Sequence, residues 1–244
     1  MKRTIIIIPS RMSASRLKGK PLLEINNLPI ICHVFNKAKE TGLEAIVATE
    51  DKEIKDAVLN NGGKAILTGS HKTGTDRIFE AYKKLKKENI DYILNLQGDE
   101  PMIDSNDIMN LNNLTIQNNS NIGTLASEIK DDKIFKNKNI VKVITEKKLE
   151  DKNFVKALNF SRDYFSEEKN NLYHHIGIYC YKASTLEKFV SLNQTDNEIK
   201  SKLEQLRALD NDIQIDVGLA KSSPIGVDTK EDFIDLKKIM EYKS

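Results

Sequence analysis

The sequence has few of the residues that build disulfide frameworks or zinc sites. Its 244 residues include two cysteines, Cys32 and Cys180, and four histidines. Two isolated cysteines form no disulfide framework and fit a reducing compartment, so we expect a cytoplasmic protein. Neither a Cys-x-x-Cys nor a His-x-x-x-His pattern occurs, which argues against a structural zinc site.

Long apolar runs and a strong overall charge are also missing. No apolar segment approaches the ~20 residues of a membrane span. The isoleucines after Lys2-Arg3 are too few for a signal peptide, because Pro9 and Arg11 end the run. The formal net charge is +2, so the surface as a whole lacks the basic footprint of a nucleic-acid-binding protein. We therefore expect no membrane insertion and no nucleic-acid partner.

The pattern of apolar residues predicts a single α/β domain over residues 1–244. Hydrophobic residues make up 39% and charged residues 30% of the chain, which is sufficient for an ordinary core. Up to Leu67, the order is strand, helix, strand, helix, strand, as at the start of a doubly wound sheet. Helical spacing predicts one helix over 28–41 and another, also unbroken, over 198–209.

The most informative stretch covers residues 5–22. Four isoleucines predict a buried parallel strand, and the loop after such a strand leaves from its carboxyl end, where α/β sheets bind ligands. The first 23 residues hold six Lys or Arg and no Asp or Glu. Arg11, Arg16 and Lys20 could bind a polyanion, since guanidinium grips phosphate with two prongs and ammonium acts as a point charge. The alternative is a solvated basic loop.

The order of residues in this loop resembles the nucleotide-binding loop of the sugar nucleotidyltransferases. It is most similar to that of the 3-deoxy-manno-octulosonate (Kdo) cytidylyltransferases, with Ser10 in place of the family's alanine and Lys18 in place of its proline. It is not a Walker P-loop, because G-x-x-x-x-G-K-[ST] is absent. The resemblance implies an α/β fold with a Rossmann-like, doubly wound, mostly parallel sheet of the nucleotidyltransferase (glycosyltransferase-A-like) type. It also implies a small β-rich dimerisation and substrate lobe at about 125–195.

A second motif, Thr73-Gly74-Thr75-Asp76-Arg77, resembles the family's S-G-T-D-R segment beside the nucleotide. Its plain interpretation is a helix start capped by Thr73 or Thr75. Both interpretations can hold, because a helix amino end favours anions. His71 precedes the motif and has no partner that the sequence identifies. The resemblance implies these nucleotide-binding residues: Pro9, Arg11, Arg16, Lys20, Thr73, Gly74 and Arg77.

Two aspartates are the candidate metal ligands. Asp99 lies in a Q-G-D-E-P motif just past a predicted core strand, and Asp228 lies in a G-V-D-T motif. Mg²⁺ takes one or two protein carboxylates together with phosphate oxygens. The alternatives are a polar turn at Asp99 and a helix cap at Asp228 or Thr229. Both motifs match the family, and the resemblance implies Mg²⁺ held by Asp99 and Asp228, with Lys20 as a further catalytic residue.

The resemblance also implies a site for a sugar acid. Its predicted contacts are Gln97, Arg162, His175, Tyr179 and Glu204. His175 is favoured over its neighbour His174 because adjacent strand residues point to opposite faces, and Tyr179 shares the face of His175. The alternative for Arg162 is a surface residue, and that for His175 is a histidine whose hydrogen bonds are satisfied within the sheet. The alternative for Glu204 is a surface Glu–Arg pair on a helix. The loop after Arg162 is shorter than in the family, which bears on which sugar acid is bound.

Together the motifs imply transfer of CMP from CTP to Kdo, giving CMP-Kdo and diphosphate for lipopolysaccharide synthesis. The implied partners are CTP, a Kdo-type sugar acid and a second copy of the chain in a homodimer. Two alternatives stay open. One is a cytidylyltransferase for a related acid such as 8-amino-Kdo, and the other is a non-catalytic nucleotide-binding protein on the same fold.

Overall fold

The structure, a computed structural model, describes residues 2–13, 17–129, 137–163, 171–224 and 226–242. Within these residues the chain has a mixed α/β fold and divides into two compact units. The first contains Arg3–Ile108 and the residues from Pro224 onward, and the second contains Met109–Ser223. Arg16 and the segment that follows Asp163 up to residue 170 lie outside the described residues, so their predicted roles stay predictions.

The first unit is built on four parallel strands. Its elements are β1 (Thr4–Ser10), β2 (Glu24–Ile25), β3 (Leu28–Pro29), α1 (Ile30–Glu40), β4 (Glu44–Thr49), α2 (Lys52–Asn60), β5 (Ala65–Leu67), α3 (Gly74–Leu85), β6 (Tyr92–Asn95) and α8 (Lys230–Tyr242). The strand order is β5-β4-β1-β6, and each neighbouring pair is parallel. Ile5–Ile8 in β1 are at most 1% exposed, as expected for a central strand covered on both faces.

The second unit combines a mixed sheet with helices. Its elements are α4 (Ser105–Gln117), of which residues 105–108 belong to the first unit, β7 (Ile122–Ser127), β8 (Lys142–Thr145), β9 (Phe154–Ser161), β10 (Leu172–Lys182), α5 (Ala183–Ser191), α6 (Asp196–Ser201), α7 (Leu206–Asp210) and β11 (Ile215–Leu219). Strand β7 pairs parallel with β11 and antiparallel with β10, and β9 pairs antiparallel with both β11 and β8. The prediction of a single domain with a lobe at 125–195 stays a prediction.

The predicted helix over 28–41 is wrong at its start. Residues 28–29 form β3, which pairs with β2 across Asn26 and Asn27, and α1 begins only at Ile30. Both asparagines have positive φ, 51° and 59°. A two-residue hairpin needs such backbone angles, and asparagine adopts them more readily than most residues.

The predicted single helix over 198–209 is also wrong. Helix α6 ends at Ser201, Lys202 adopts the left-handed conformation with φ of 53°, and α7 begins at Leu206. The leucine spacing of this stretch survives the break, because Leu203 and Leu206 are still buried. Apolar spacing therefore located the buried face but not the turn.

Strand β10 contains an irregularity that the sequence did not reveal. Its register against β7 shifts between Ile176 and Tyr179, as in a β-bulge. In the described part of the chain, no helix is long and apolar enough to cross a membrane.

Candidate active site

A cavity of about 290 Å³ lies in the first unit, and residues of that unit alone line it. Most of the predicted nucleotide and metal residues among the described residues take part in its wall. The predicted residues in the lining are Pro9, Arg11, Lys20, Thr73, Gly74, Arg77, Gln97, Asp99 and Asp228. The wall is completed by Ser10, Leu17, Pro21, His71 and Gly98, which were not among the predicted binding residues.

Lys20 is fixed inside the cavity by the local backbone. It opens a short 3₁₀ helix, Lys20–Leu22, whose cap Gly19 has φ of 71°. A left-handed angle of this kind costs glycine little, which explains why glycine precedes the lysine. Lys20 is 8% exposed, so its charge faces the protein interior and the cavity instead of bulk solvent.

The two predicted metal ligands converge on the ammonium group of Lys20. Its Nζ lies 2.6 Å from Oδ2 of Asp99 and 3.4 Å from Oδ1 of Asp228, and it donates to the carbonyl of Val227 at 2.5 Å. The two aspartates are far apart in sequence, yet each presents an oxygen to one cation. This arrangement is what the predicted pairing of Asp99 with Asp228 requires.

The alternative of a helix cap is resolved by the contacts at the start of α8. Thr229 Oγ1 accepts from the backbone N–H of Asp232 at 3.1 Å. Asp232 Oδ2 in return accepts from the backbone N–H groups of Asp228 and Thr229. Thr229 and Asp232 therefore cap the helix reciprocally, and the Asp228 carboxyl contacts Lys20.

Glu100 adds a third carboxyl group at this place. Its Oε2 is buried and accepts no hydrogen bond from the described residues. Burial, and then the negative charges of Asp99 and Asp228, raise the pKa of Glu100 to about 8, while Lys20 opposes the rise. The sequence motifs alone assign no role to Glu100, although it lies within the matched Q-G-D-E-P motif.

Close backbone approach shapes the floor of the cavity around Pro9. A Cβ on Gly98 would lie 2.9 Å from the carbonyl oxygen of Pro9, and one on Gly74 would lie 3.3 Å from its Cγ. Glycine at 98 is therefore required sterically, because real Cβ atoms do not approach backbone oxygen so closely. Pro9 separates the start of α3 from the residues that follow β6.

Two predicted nucleotide residues and one predicted sugar residue are engaged mainly with the protein. Arg77 is 2% exposed; its guanidinium pairs with Glu50 at 3.1 Å and donates to Thr68 Oγ1 at 2.7 Å. Thr73 caps α3, accepting from the backbone N–H of Asp76. Gln97 donates to Asn95 Oδ1 at 3.0 Å. Each side chain still lines the cavity, while these contacts hold it in place.

In the second unit, the structure brings three of the predicted sugar residues together. The His175 and Tyr179 rings lie 5.5 Å apart, and burial followed by the charges of Tyr181 and Glu204 raises the pKa of Tyr179. His175 is fully packed, with Thr124 Oγ1 3.0 Å from its Nε2, and burial lowers its pKa to about 3. These contacts agree with the predicted shared face of His175 and Tyr179, and they also show how the sheet satisfies His175.

Arg162 and Glu204 make protein contacts of different kinds. Arg162 donates from Nη1 to the backbone carbonyl of Asn139 at 3.0 Å. Glu204 lies 3.5 Å from Nη2 of Arg207, the i,i+3 pair that the sequence offered as its alternative role. Arg207 makes a closer, two-pronged pair with Glu198, at 2.5 Å and 2.8 Å.

Comparison with known proteins places the chain in a family. The model of the cytidylyltransferase family matches residues 5–215, and the chain belongs to that family. Curated relatives named 3-deoxy-manno-octulosonate cytidylyltransferase narrow the class. The chain is 44% identical over 253 aligned positions to the one from Thermodesulfovibrio yellowstonii, covering 99% of both chains. It is 41% identical to the one from Afipia carboxidovorans, covering 97% of this chain and 96% of the relative.

Solved structures agree with this placement. A CMP:2-keto-3-deoxy-manno-octonic acid synthetase in complex with CTP superposes with a TM-score of 0.89 at 34% identity, and all of both chains is covered. A cytidylyltransferase from Leptospira borgpetersenii shares the fold, with a TM-score of 0.65 at 20% identity over 99% of this chain and 88% of the other. The family resemblance predicted from the sequence motifs is confirmed.

Proposed function

We propose that this protein transfers CMP from CTP to the anomeric hydroxyl of Kdo, giving CMP-Kdo and diphosphate. The full-length similarity to relatives named for this activity supports the proposal, as does the fold shared with a synthetase complexed with CTP. The structural observation that carries it is the meeting of Asp99 and Asp228 on one cationic group inside a cavity that Arg11 also lines.

The donor set at Lys20 fits a magnesium ion. Two carboxylates present oxygens to one positive charge, and a buried carboxyl oxygen of Glu100 has no hydrogen-bond donor among the described residues. Two carboxylates suffice for Mg²⁺, which keeps waters and takes phosphate oxygens beside one or two of them. When bound, Mg²⁺ supplies positive charge next to the phosphates.

The remaining roles follow from positioning and charge. Arg11 and Lys20, with Arg16 predicted to join them, neutralise the triphosphate and the departing diphosphate, because phosphoryl-type transfer depends on orientation and electrostatic stabilisation more than on covalent help. Asp99 and Asp228 hold the cation. Gln97, Arg162, His175, Tyr179 and Glu204 are proposed to contact the sugar acid.

The finer features of the family complete the proposal. The sheet is of the doubly wound nucleotidyltransferase type with a β-rich substrate lobe, the protein is a homodimer in the cytoplasm, and its product feeds lipopolysaccharide synthesis. These statements rest on the family motifs and on the relatives' names.

Diphosphate release, measured with CTP, Mg²⁺ and Kdo, tests the function. We expect release that requires all three components, with CTP preferred over UTP, GTP and ATP. A panel of acids that includes 8-amino-Kdo separates Kdo from related substrates. CTP binding without diphosphate release for any acid would contradict the proposal and support a binding protein on the same fold.

A further inference from the structure

His71 lines the cavity but has no role in the function described so far. Its side chain is 25% exposed, and its Nε2 makes a hydrogen bond with Oε2 of Glu80 on α3. The structure gives the other ring nitrogen, Nδ1, no hydrogen-bond partner among the described residues.

Glu80 is held firmly enough to orient this ring. Its carboxylate accepts from the backbone N–H of Gly69 at 2.9 Å and pairs with Nζ of Lys84 at 2.6 Å. The hydrogen bond from Lys84, together with those from His71 and Gly69, outweighs partial burial and lowers the pKa of Glu80 to about 2. Glu80 is therefore ionised near neutral pH and can only accept hydrogen bonds.

An ionised partner decides which ring nitrogen carries the proton. Because the Glu80 carboxylate has no hydrogen to give, Nε2 of His71 must donate. When the ring is neutral, its Nδ1 is therefore an acceptor. Two nearby lining residues are less available to a ligand. Thr73 caps α3, and the guanidinium of Arg77 contacts Glu50 and Thr68.

The contacts around Pro9 indicate which part of a nucleotide reaches His71. Gly74, at the start of α3, packs against one side of Pro9, and Gly98 packs against its carbonyl. Asp99 directly follows Gly98 and contacts Lys20. If the phosphates lie near Lys20, as the proposed function requires, the nucleoside extends past Pro9 toward α3 and His71.

We propose that His71 is a nucleotide-contacting residue, positioned by Glu80, whose Nδ1 accepts a hydrogen bond from an N–H or O–H group of the bound nucleoside. The inference rests on the proposed function, since it takes a nucleoside triphosphate as the ligand. The proposal commits to one of two nucleoside groups as the donor, namely the exocyclic amine of cytosine or the 2′-hydroxyl of the ribose.

The test is calorimetric binding of CTP, UTP and 2′-deoxy-CTP in Mg²⁺, without any sugar acid, to the unaltered protein and to variants. His71→Ala should bind CTP about three- to tenfold more weakly, the range expected for one hydrogen bond. The penalty should vanish for UTP if the amine is the donor, or for 2′-deoxy-CTP if the 2′-hydroxyl is. His71→Asn, which can keep an acceptor near the Nδ1 position, should recover part of the CTP affinity.

The positioning role of Glu80 is tested by a double-mutant cycle on the same readout. Glu80→Ala should weaken CTP binding in the protein with His71 and have less effect in the His71→Ala background, because its contacts with Gly69 and Lys84 are lost equally in both. An equal cost of Glu80→Ala in both backgrounds overturns the positioning role. An equal loss for all three nucleotides, or no loss for His71→Ala, overturns the contact.

These outcomes are separable from those of the proposed function. Binding is measured without the sugar acid, so a protein that binds CTP through His71 but releases no diphosphate contradicts only the proposed transfer. A protein with normal transfer and unchanged binding in His71→Ala contradicts only the inference.

Discussion

The ammonium of Lys20 occupies the point at which two carboxylates offer oxygens to a cation. It is 2.6 Å from Asp99 and 3.4 Å from Asp228, and opposite charges at such distances attract strongly when water is partly excluded. The same ammonium would repel a divalent cation arriving alone. A triphosphate supplies the negative charge needed to draw Lys20 away, so cation and nucleotide are expected to bind together.

Replacing this ammonium should therefore open the aspartate pair to a divalent cation. We expect Lys20→Met to bind Mn²⁺ about tenfold or more tightly than the unaltered protein in the absence of CTP, measured by electron paramagnetic resonance of free Mn²⁺. Lys18→Met removes an exposed charge from the same loop and should leave the affinity unchanged. Equal Mn²⁺ affinity in both variants and in the unaltered protein would contradict the expectation.

Of the two aspartates, Asp99 lies nearer to the ammonium group of Lys20, and its replacement should lower the turnover rate. We expect Asp99→Asn to lower kcat by ~10³-fold or more, about 4 kcal/mol of barrier. The measurement is kcat at saturating CTP and Mg²⁺. Asp104→Asn is the matched control, because Asp104 accepts from the backbone N–H of Asn106, a role that asparagine can keep. Near-normal turnover in Asp99→Asn would refute the metal role.

Candidate site residues could be predicted from the sequence where they lie in a motif. They could not be predicted where only the folded chain brings them together. Asp99 and Asp228 were found because their motifs match the family. Glu80 could not be paired with His71, since they lie nine positions apart in the sequence and the contact depends on how the chain turns into α3. Glu100 lies in a matched motif, but its buried oxygen could not be predicted, because burial depends on the packing around the carboxyl group.

At the level of elements, the break between α6 and α7 shows what apolar spacing cannot resolve. Glu198 forms a capping box with Thr195 at the start of α6 and also receives Arg207 from α7. The buried ion pair of Glu198 with Arg207 links the two short helices. In one continuous helix, these two residues would lie at a different distance from each other. Leu203 and Leu206 are buried despite the break, so their spacing fits two short helices as well as one continuous helix.

Removing one member of this pair should destabilise the second unit. Arg207→Met leaves the Glu198 carboxylate buried beside an apolar chain, and we expect a loss of about 3 kcal/mol in the free energy of unfolding. The double variant Glu198→Met with Arg207→Met should recover much of that loss, because no charge is then left uncompensated. Urea unfolding measures both, with Lys200→Met on α6 as the exposed control. Equal losses in the single and double variants would show that packing, not charge, governs the site.

For the whole molecule, the sequence predicted the class of fold and most strands but not the bounds of its units. Four isoleucines mark β1, and each short apolar run of the first unit became a parallel strand. The division at Ile108 and Met109 falls within α4. No composition change or loop signals such a boundary, since it depends on which contacts each half of a helix makes.

The division into units leads to a prediction about ligand protection. All residues that line the cavity belong to the first unit, and four of the five predicted sugar residues belong to the second. CTP with Mg²⁺ should therefore slow amide hydrogen exchange in peptides covering 20–25 and 74–81, because a bound ligand lowers the population of locally opened states. Exchange in strand β10 should change little until Kdo is added.

Hydrogen exchange measured by mass spectrometry compares the slowing in these peptides with that in β10, with ATP in place of CTP as the control nucleotide. Equal slowing of β10 and of 74–81 by CTP alone would contradict a nucleotide site confined to the first unit.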